Sequence, residues 1–181
     1  MMTISIVYAM STTFLSMGIF SKNDIRRGLI SSFLKIVEII IYKLKIQRFM
    51  NKIEHRVLYG DTDAGQVVYY ANYLRWFESG RRELIRQLGI DFAKLENDGI
   101  IVPVVEVKCN YLLPARYDDI LIVETSISEI KEKSIKFDYK ILRKSDNKVL
   151  VEGYTVNVFV DKEKMKSTPI PEKDKKKLRL G

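Results

Sequence analysis

Between Tyr59 and Gly89 the chain reads YGDTDAGQVVYYANYLRWFESGRRELIRQLG. This is the one stretch where residue types and spacing imply chemistry. The acidic, turn-forming run from Gly60 to Gly65 leads into the apolar-aromatic patch Val67, Val68, Tyr69 and Tyr70, and then into a long amphipathic segment, so a carboxylate, Asp63, stands just before a helix start. The first backbone N–H groups of a helix lack intrahelical partners and carry partial positive charge. They can hold a developing oxyanion, and a carboxylate beside the polarised carbonyl can attack it or activate water. That combination suits acyl transfer. The plainer reading of Asp61 and Asp63 is a turn followed by a helix cap, since Asp and Thr serve both purposes.

The run resembles the signature of the hot-dog-fold acyl-CoA thioesterases of the 4-hydroxybenzoyl-CoA thioesterase and YbgC type. The residues that carry the resemblance are Tyr59, Asp61, Thr62, Asp63, Ala64, Gly65, Val67, Val68, Tyr69, Ala71, Asn72, Tyr73, Glu78 and Arg81. Further on, Pro114-Ala115-Arg116-Tyr117-Asp118-Asp119 resembles a turn of the same family. The resemblance covers residues 50–171. It implies an acyl-CoA substrate hydrolysed to free acid and CoA, with Asp63 as catalytic carboxylate and the backbone N–H near Tyr70 polarising the thioester carbonyl. Tyr59 is implied as a pocket hydroxyl, and Gly65, Val67, Val68 and Tyr69 as the stretch that meets substrate. Asp61 reads as structural. Two positions depart from the family pattern: Gln66 stands where many relatives have a second glycine, and Tyr70 where the YbgC branch usually has histidine, although tyrosine occurs there in the hydroxybenzoyl-CoA branch.

The absent histidine is tolerable for a thioester, because a thiol ionises near pH ~8.5 and leaves as thiolate with little help. An aspartate, with a reference pKa of about 3.9, is a feeble base at neutral pH but is ionised and available as a nucleophile. Attack by Asp63 through a mixed anhydride is the favoured route, with water activation by the same carboxylate as the alternative. Glu78 is a lesser candidate, because Arg81 and Arg82 lie three and four positions later and would form helical ion pairs with it.

The 181 residues, 46% of them hydrophobic, suit one domain with an extension. Single copies of cysteine (Cys109) and histidine (His55) leave no internal disulfide and no multi-ligand Cys/His metal site. Cys109 reads as strand packing and His55 as a strand residue. No Walker loop, dinucleotide-type glycine run or strong metal motif occurs, so no cofactor and no metal are expected. The net charge of +8 is uneven: residues 1–50 carry seven Lys and Arg against two Asp and Glu, a net of +5, which leaves +3 for residues 51–181. A core so nearly balanced argues against a nucleic-acid partner. The lysine-rich residues 172–181 read as a solvated basic tail.

Residues 1–49 differ from the rest. Met1 to Ser21 carries no charge but is interrupted by Ser and Thr, and Leu29 to Ile46 reads as an amphipathic helix. Two readings stand open: a membrane-associating extension, or a mis-assigned upstream start with the native protein beginning at Met50. The expected location is cytoplasmic, at the inner face of a membrane if the extension is real.

The remaining pattern supplies the scaffold. A short strand, Ile53 to Tyr59, precedes a helix in which Tyr73, Phe77, Leu84, Ile85 and Leu88 recur at three-to-four spacing up to the stop at Gly89. A turn of helix follows around Asp91 to Glu96. After Ile100 the period becomes two, with strands expected over Val105–Leu113, Ile120–Ser128, Ile135–Ile141 and Val149–Val160. This order predicts an α+β fold, an antiparallel sheet wrapped around one central helix, as the hot-dog resemblance also implies. The resemblance further implies a homodimer or homotetramer. A non-catalytic acyl-binding module on the same fold is the second functional class; it would bind acyl-CoA without turnover and tolerate Asp63→Asn.

Overall fold

The computed structural model describes Val37 and residues 50–180. The two readings of residues 1–49 fall, Val37 apart, outside the described residues. Five strands form the main sheet: β1 (Met50–Arg56), β3 (Val104–Tyr111), β4 (Ile120–Ile130), β5 (Ser134–Arg143) and β6 (Val149–Val158). They lie in the order β1-β4-β5-β6-β3, and every pairing is antiparallel. A second, three-stranded sheet joins β2 (Ile100–Ile101), β7 (Val160–Asp161) and β8 (Lys166–Ser167). The helices are α1 (Asn72–Gln87), α2 (Phe92–Asn97) and α3 (Glu172–Leu180). This is the expected α+β arrangement of a sheet curled about one long helix.

The helix follows from its apolar stripe. Tyr73, Trp76, Phe77, Gly80, Leu84 and Ile85 are its buried residues, at the spacing that puts one face of a helix onto a core. That face meets Val123, Phe137, Tyr139, Ile141 and Val151 from alternate positions of β4, β5 and β6. Phe77 stacks on Tyr139 with ring centroids 4.2 Å apart and planes 9° from parallel. Gly153 lies beside this pair, and a Cβ there would run into the Phe77 ring. Helix α1 ends where Gly89 takes φ 72°, a conformation that favours glycine. Among the described residues no helix is long and apolar enough to cross a membrane.

Three expectations need correction. The first strand ends at Arg56 and not Tyr59, because the Asp61 carboxylate takes the Leu58 N–H at 2.9 Å and turns the chain into a short 3-10 helix, Tyr59–Asp61. The lysine-rich C-terminal residues form α3 instead of a loose tail, since Leu178 supplies a fully buried anchor and Lys173 pairs with Asp98 at 3.0 Å. The alternation in β3 does not produce a buried face: Val105, Val107 and Tyr111 are all exposed. Strand β3 is the last strand of the sheet and pairs only with β6 among the described residues.

Candidate active site

Asp61 organises the loop ahead of α1. Its carboxylate holds the Leu58 N–H, while its carbonyl oxygen accepts both the Tyr69 N–H and the Asn72 side-chain amide, each at 2.9 Å. Asn72 is the first residue of α1, so one aspartate ties the acidic run to the helix start. Next, Asp63 closes a tight turn: its N–H reaches the Val67 carbonyl at 2.9 Å, its carbonyl accepts from Gln66, and its Oδ1 accepts the Gly65 N–H at 2.8 Å. The other carboxylate oxygen of Asp63 has no hydrogen bond among the described residues, and the residue is exposed.

The Pro114–Asp119 turn fixes the loop from the other side. The Val68 N–H donates to Ala115 O at 2.9 Å and the Ala115 N–H to the Tyr73 hydroxyl at 3.2 Å. Asp119 Oδ2 accepts from the Arg116 N–H at 2.8 Å and from Arg143 Nε at 3.2 Å, and Arg143 also donates to Pro114 O at 2.7 Å. The family-like turn is therefore a brace for the loop.

Asp63, Val67, Val68, Tyr70 and Tyr73 meet Tyr111, Leu112, Leu113 and Pro114 around an open cavity of about 340 Å³. Of the residues singled out in the sequence, the structure brings Asp63, Val67, Val68 and Tyr70 together at this cavity. Gly65 contributes through its bond to Asp63. Tyr69 lies beside the cavity, its ring 4.6 Å from that of Tyr70, and its backbone is committed to Asp61. Tyr59 is not part of the lining: it is 80% exposed and sits edge-on to Tyr117 at 6.0 Å. The N–H groups of Tyr70 and Ala71, just ahead of α1, have no acceptor among the described residues.

The cavity wall made by Tyr111 at the end of β3 and by Leu112–Pro114 just after it does not stand out in the sequence. Tyr111 and Leu113 read as alternating strand residues, and the only signal was the doublet Leu112-Leu113, which breaks that alternation. The phenols of the wall are held in their neutral form. Burial pushes Tyr111 up, reinforced by hydrogen bonding to Cys109; burial raises Tyr73 against the opposing effect of the Ala115 N–H. Tyr69 is raised chiefly by the hydrogen bond and charge of neighbouring Tyr70. Glu78 lies elsewhere, in a hollow shared with Arg81 and Arg82, and the expected helical ion pairs are absent among the described residues: Arg81 turns instead to the Tyr139 hydroxyl at 3.2 Å.

An antiparallel sheet curled on one helix, with a carboxylate in the turn that precedes that helix, defines the class of hot-dog-fold thioester hydrolases. The model of the thioesterase-like superfamily matches residues 57–178. Over 122 residues the chain is 39% identical to the acyl-CoA thioesterase YbgC of Haemophilus influenzae, an alignment spanning 66% of this chain and 88% of that protein. It is 25% identical over 127 residues to the 4-hydroxybenzoyl-CoA thioesterase of Pseudomonas sp. strain CBS-3, covering 66% and 90% of the two chains. The solved structure of a 4-hydroxybenzoyl-CoA thioesterase from the same strain superimposes with a TM-score of 0.65 at 25% identity, over 71% of this chain and 98% of that one. A DHNA-CoA thioesterase from Staphylococcus aureus gives a TM-score of 0.65 at 26% identity, over 72% and 90%. The chain belongs to the thioesterase-like superfamily, as a hot-dog-fold enzyme of the YbgC type.

Proposed function

We propose that the chain hydrolyses acyl-CoA thioesters to the free acid and CoA, with Asp63 as the catalytic carboxylate. The observation that carries this reading is the position of Asp63 at a cavity also lined by Tyr70, whose N–H, like that of the next residue Ala71, has no acceptor among the described residues. A thioester carbonyl oxygen bound by those N–H groups gains its charge next to donors that have no other acceptor among the described residues. An Asp63 oxygen attacks the carbonyl carbon, the C–S bond breaks, and the CoA thiolate departs and takes a proton from solvent. Water then cleaves the mixed anhydride, which releases the acid and restores the carboxylate. In the alternative route Asp63 takes the proton of an attacking water. Both routes need the charge on Asp63.

The active unit is proposed to be a homo-oligomer. Strand β3 has one edge without a strand partner among the described residues and carries the exposed apolar residues Val105, Val107 and Tyr111. An edge of this kind is a template for pairing with another chain.

The test is release of CoA thiol from short, long and aromatic acyl-CoAs by the wild type and by Asp63→Asn. Asparagine keeps an acceptor for the Gly65 N–H, so the loop should persist while turnover drops about 10²-fold or more. Undiminished turnover in Asp63→Asn would remove Asp63 from the mechanism. Acyl-CoA binding with no turnover across the panel would favour the acyl-binding module.

A further inference from the structure

The chain's single histidine makes a contact that the reaction above leaves unused. His55, in β1, packs its ring 4.7 Å from that of Trp76 on α1. Its Nε2 is buried without a hydrogen-bond partner and stands 3.5 Å from Asp61 Oδ2. At that separation the contact is electrostatic and not a hydrogen bond. An imidazolium there attracts the carboxylate, whereas a neutral ring has little hold on it. Around His55, Leu121 is its partner on β4, Trp76 faces it from α1, and Ile53 in β1 and Val57 just after it share its face, while its charged chain neighbours Glu54 and Arg56 lie on the exposed face and pair with Lys144 and Asp118. Asp61 is the charged group that meets it from the loop.

Asp61 is also the joint of the site. Through its carboxylate and carbonyl it fastens Leu58, Tyr69 and Asn72, and Asp63 follows two residues later. A change in the hold on the Asp61 carboxylate therefore reaches the turn that presents Asp63 and the segment that presents the Tyr70 and Ala71 N–H groups.

We propose that His55 is a positioning residue for the Asp63 turn, acting through Asp61, and that its charged form holds the turn and the start of α1 in register. The kinetic part of this proposal rests on the thioesterase reading; the structural coupling does not. The coupling holds while the imidazole carries its second proton and weakens where the ring is neutral.

Two measurements on the full chain test it. With one histidine there is one imidazole Hε1 resonance to follow by NMR. The backbone amides of Gly65 and Tyr69 should shift with the same pH midpoint as that resonance in the wild type, and cease to follow it in Asp61→Asn. Amides that stay still, or that move with another midpoint, overturn the proposal without any appeal to activity. In kinetics, the ratio of wild-type kcat to that of His55→Gln should fall on the order of threefold from the acid to the alkaline side of the imidazole range, as fits a partly exposed ion pair, while the ratio of KM values stays level. A flat kcat ratio also overturns it. Failure of every thioester to turn over would count against the thioesterase reading, and the NMR result would still decide the coupling.

Discussion

Tyr111 donates its hydroxyl to the carbonyl oxygen of Tyr70 at 3.1 Å, which fastens the end of the edge strand β3 to the segment just ahead of α1. The two rings also meet edge to face at 6.4 Å, and Tyr73 closes on Tyr111 at 5.6 Å. The cavity beside Asp63 thus has an aromatic wall whose two halves come from chain segments 41 positions apart. A phenol is protonated throughout the physiological pH range, so this donor persists there.

Tyr111→Phe removes the donor and keeps the ring. The bond is partly solvated, so the loss should be about 0.5–1 kcal/mol of stability. The Tyr70 segment loses its tether, and the KM for a good thioester substrate should rise about threefold with a smaller change in kcat. Steady-state kinetics and urea unfolding check both parts; an unchanged KM would show that the tether does not shape the cavity.

Much of this site was legible before any coordinates. The period of 3.6 through Tyr73, Phe77, Leu84 and Ile85 marks the central helix, and alternation marks β4, β5 and β6, because both patterns report burial against a common core. Asp63 and Tyr70, which the family resemblance implies as site residues and which spacing alone leaves as a turn and helix cap, both line the cavity. What could not be read were relationships that depend on sheet order. Strand β3 crosses to pair with β6 rather than with its neighbour in sequence, and this crossing is what brings Tyr111 to Tyr70. It also leaves an apolar alternation exposed at an edge, where the pattern alone reads as core. Tyr59 shows the converse limit: motif membership places a residue in the chain, but its ring is set by the 3-10 turn that Asp61 imposes, and that turn sends it toward Tyr117.

Gly80 of α1 packs directly against β4. A Cβ there would press into the Thr125 hydroxyl and the Val123 side chain. Alanine gains about 1 kcal/mol of helix preference over glycine, but overpacking costs about 1–3 kcal/mol where the neighbour cannot yield. Thr125 is fully buried on a central strand, so the steric cost should win and Gly80→Ala should lower stability by about 1–2 kcal/mol. A thermal midpoint equal to or above that of the wild type would show that the helix has room to shift.

Gln66 occupies φ 60°, a left-handed conformation unusual for a residue with a side chain. Its interactions in the loop are main-chain ones: its N–H donates to Asp63 O at 2.9 Å and its carbonyl faces Arg116 at 3.5 Å. Glycine can keep both. Relief of about 1–2 kcal/mol of left-handed strain exceeds the added chain entropy of roughly 0.5–1 kcal/mol, so Gln66→Gly should be more stable by about 0.5 kcal/mol with kcat within about twofold. Chemical denaturation with an activity assay decides it, and a clear loss of stability would mean that the Gln66 side chain makes up for its backbone.

Asp146 gives the fold a dependence on acid whose sign can be worked out. It sits in the turn between β5 and β6, where Asn147 takes φ 55°, and accepts the Lys148 N–H and Arg143 Nη1, each at 3.1 Å. The hydrogen bond from the Lys148 backbone, followed by the charge and hydrogen bond of Arg143, holds its carboxyl below the ordinary value of 3.8. A carboxylate with a depressed folded-state pKa adds stability that is fully present above the unfolded-state value and is lost as pH falls through the folded-state value. Asp146→Asn keeps an acceptor for the Lys148 N–H but gives up the charge. Its urea midpoint should lie below that of the wild type at pH 7, and the gap should close once the pH drops beneath the carboxylate range. A gap that persists unchanged at the lowest pH where both proteins fold would mean that the charge of Asp146 adds nothing and that only its shape matters to the turn.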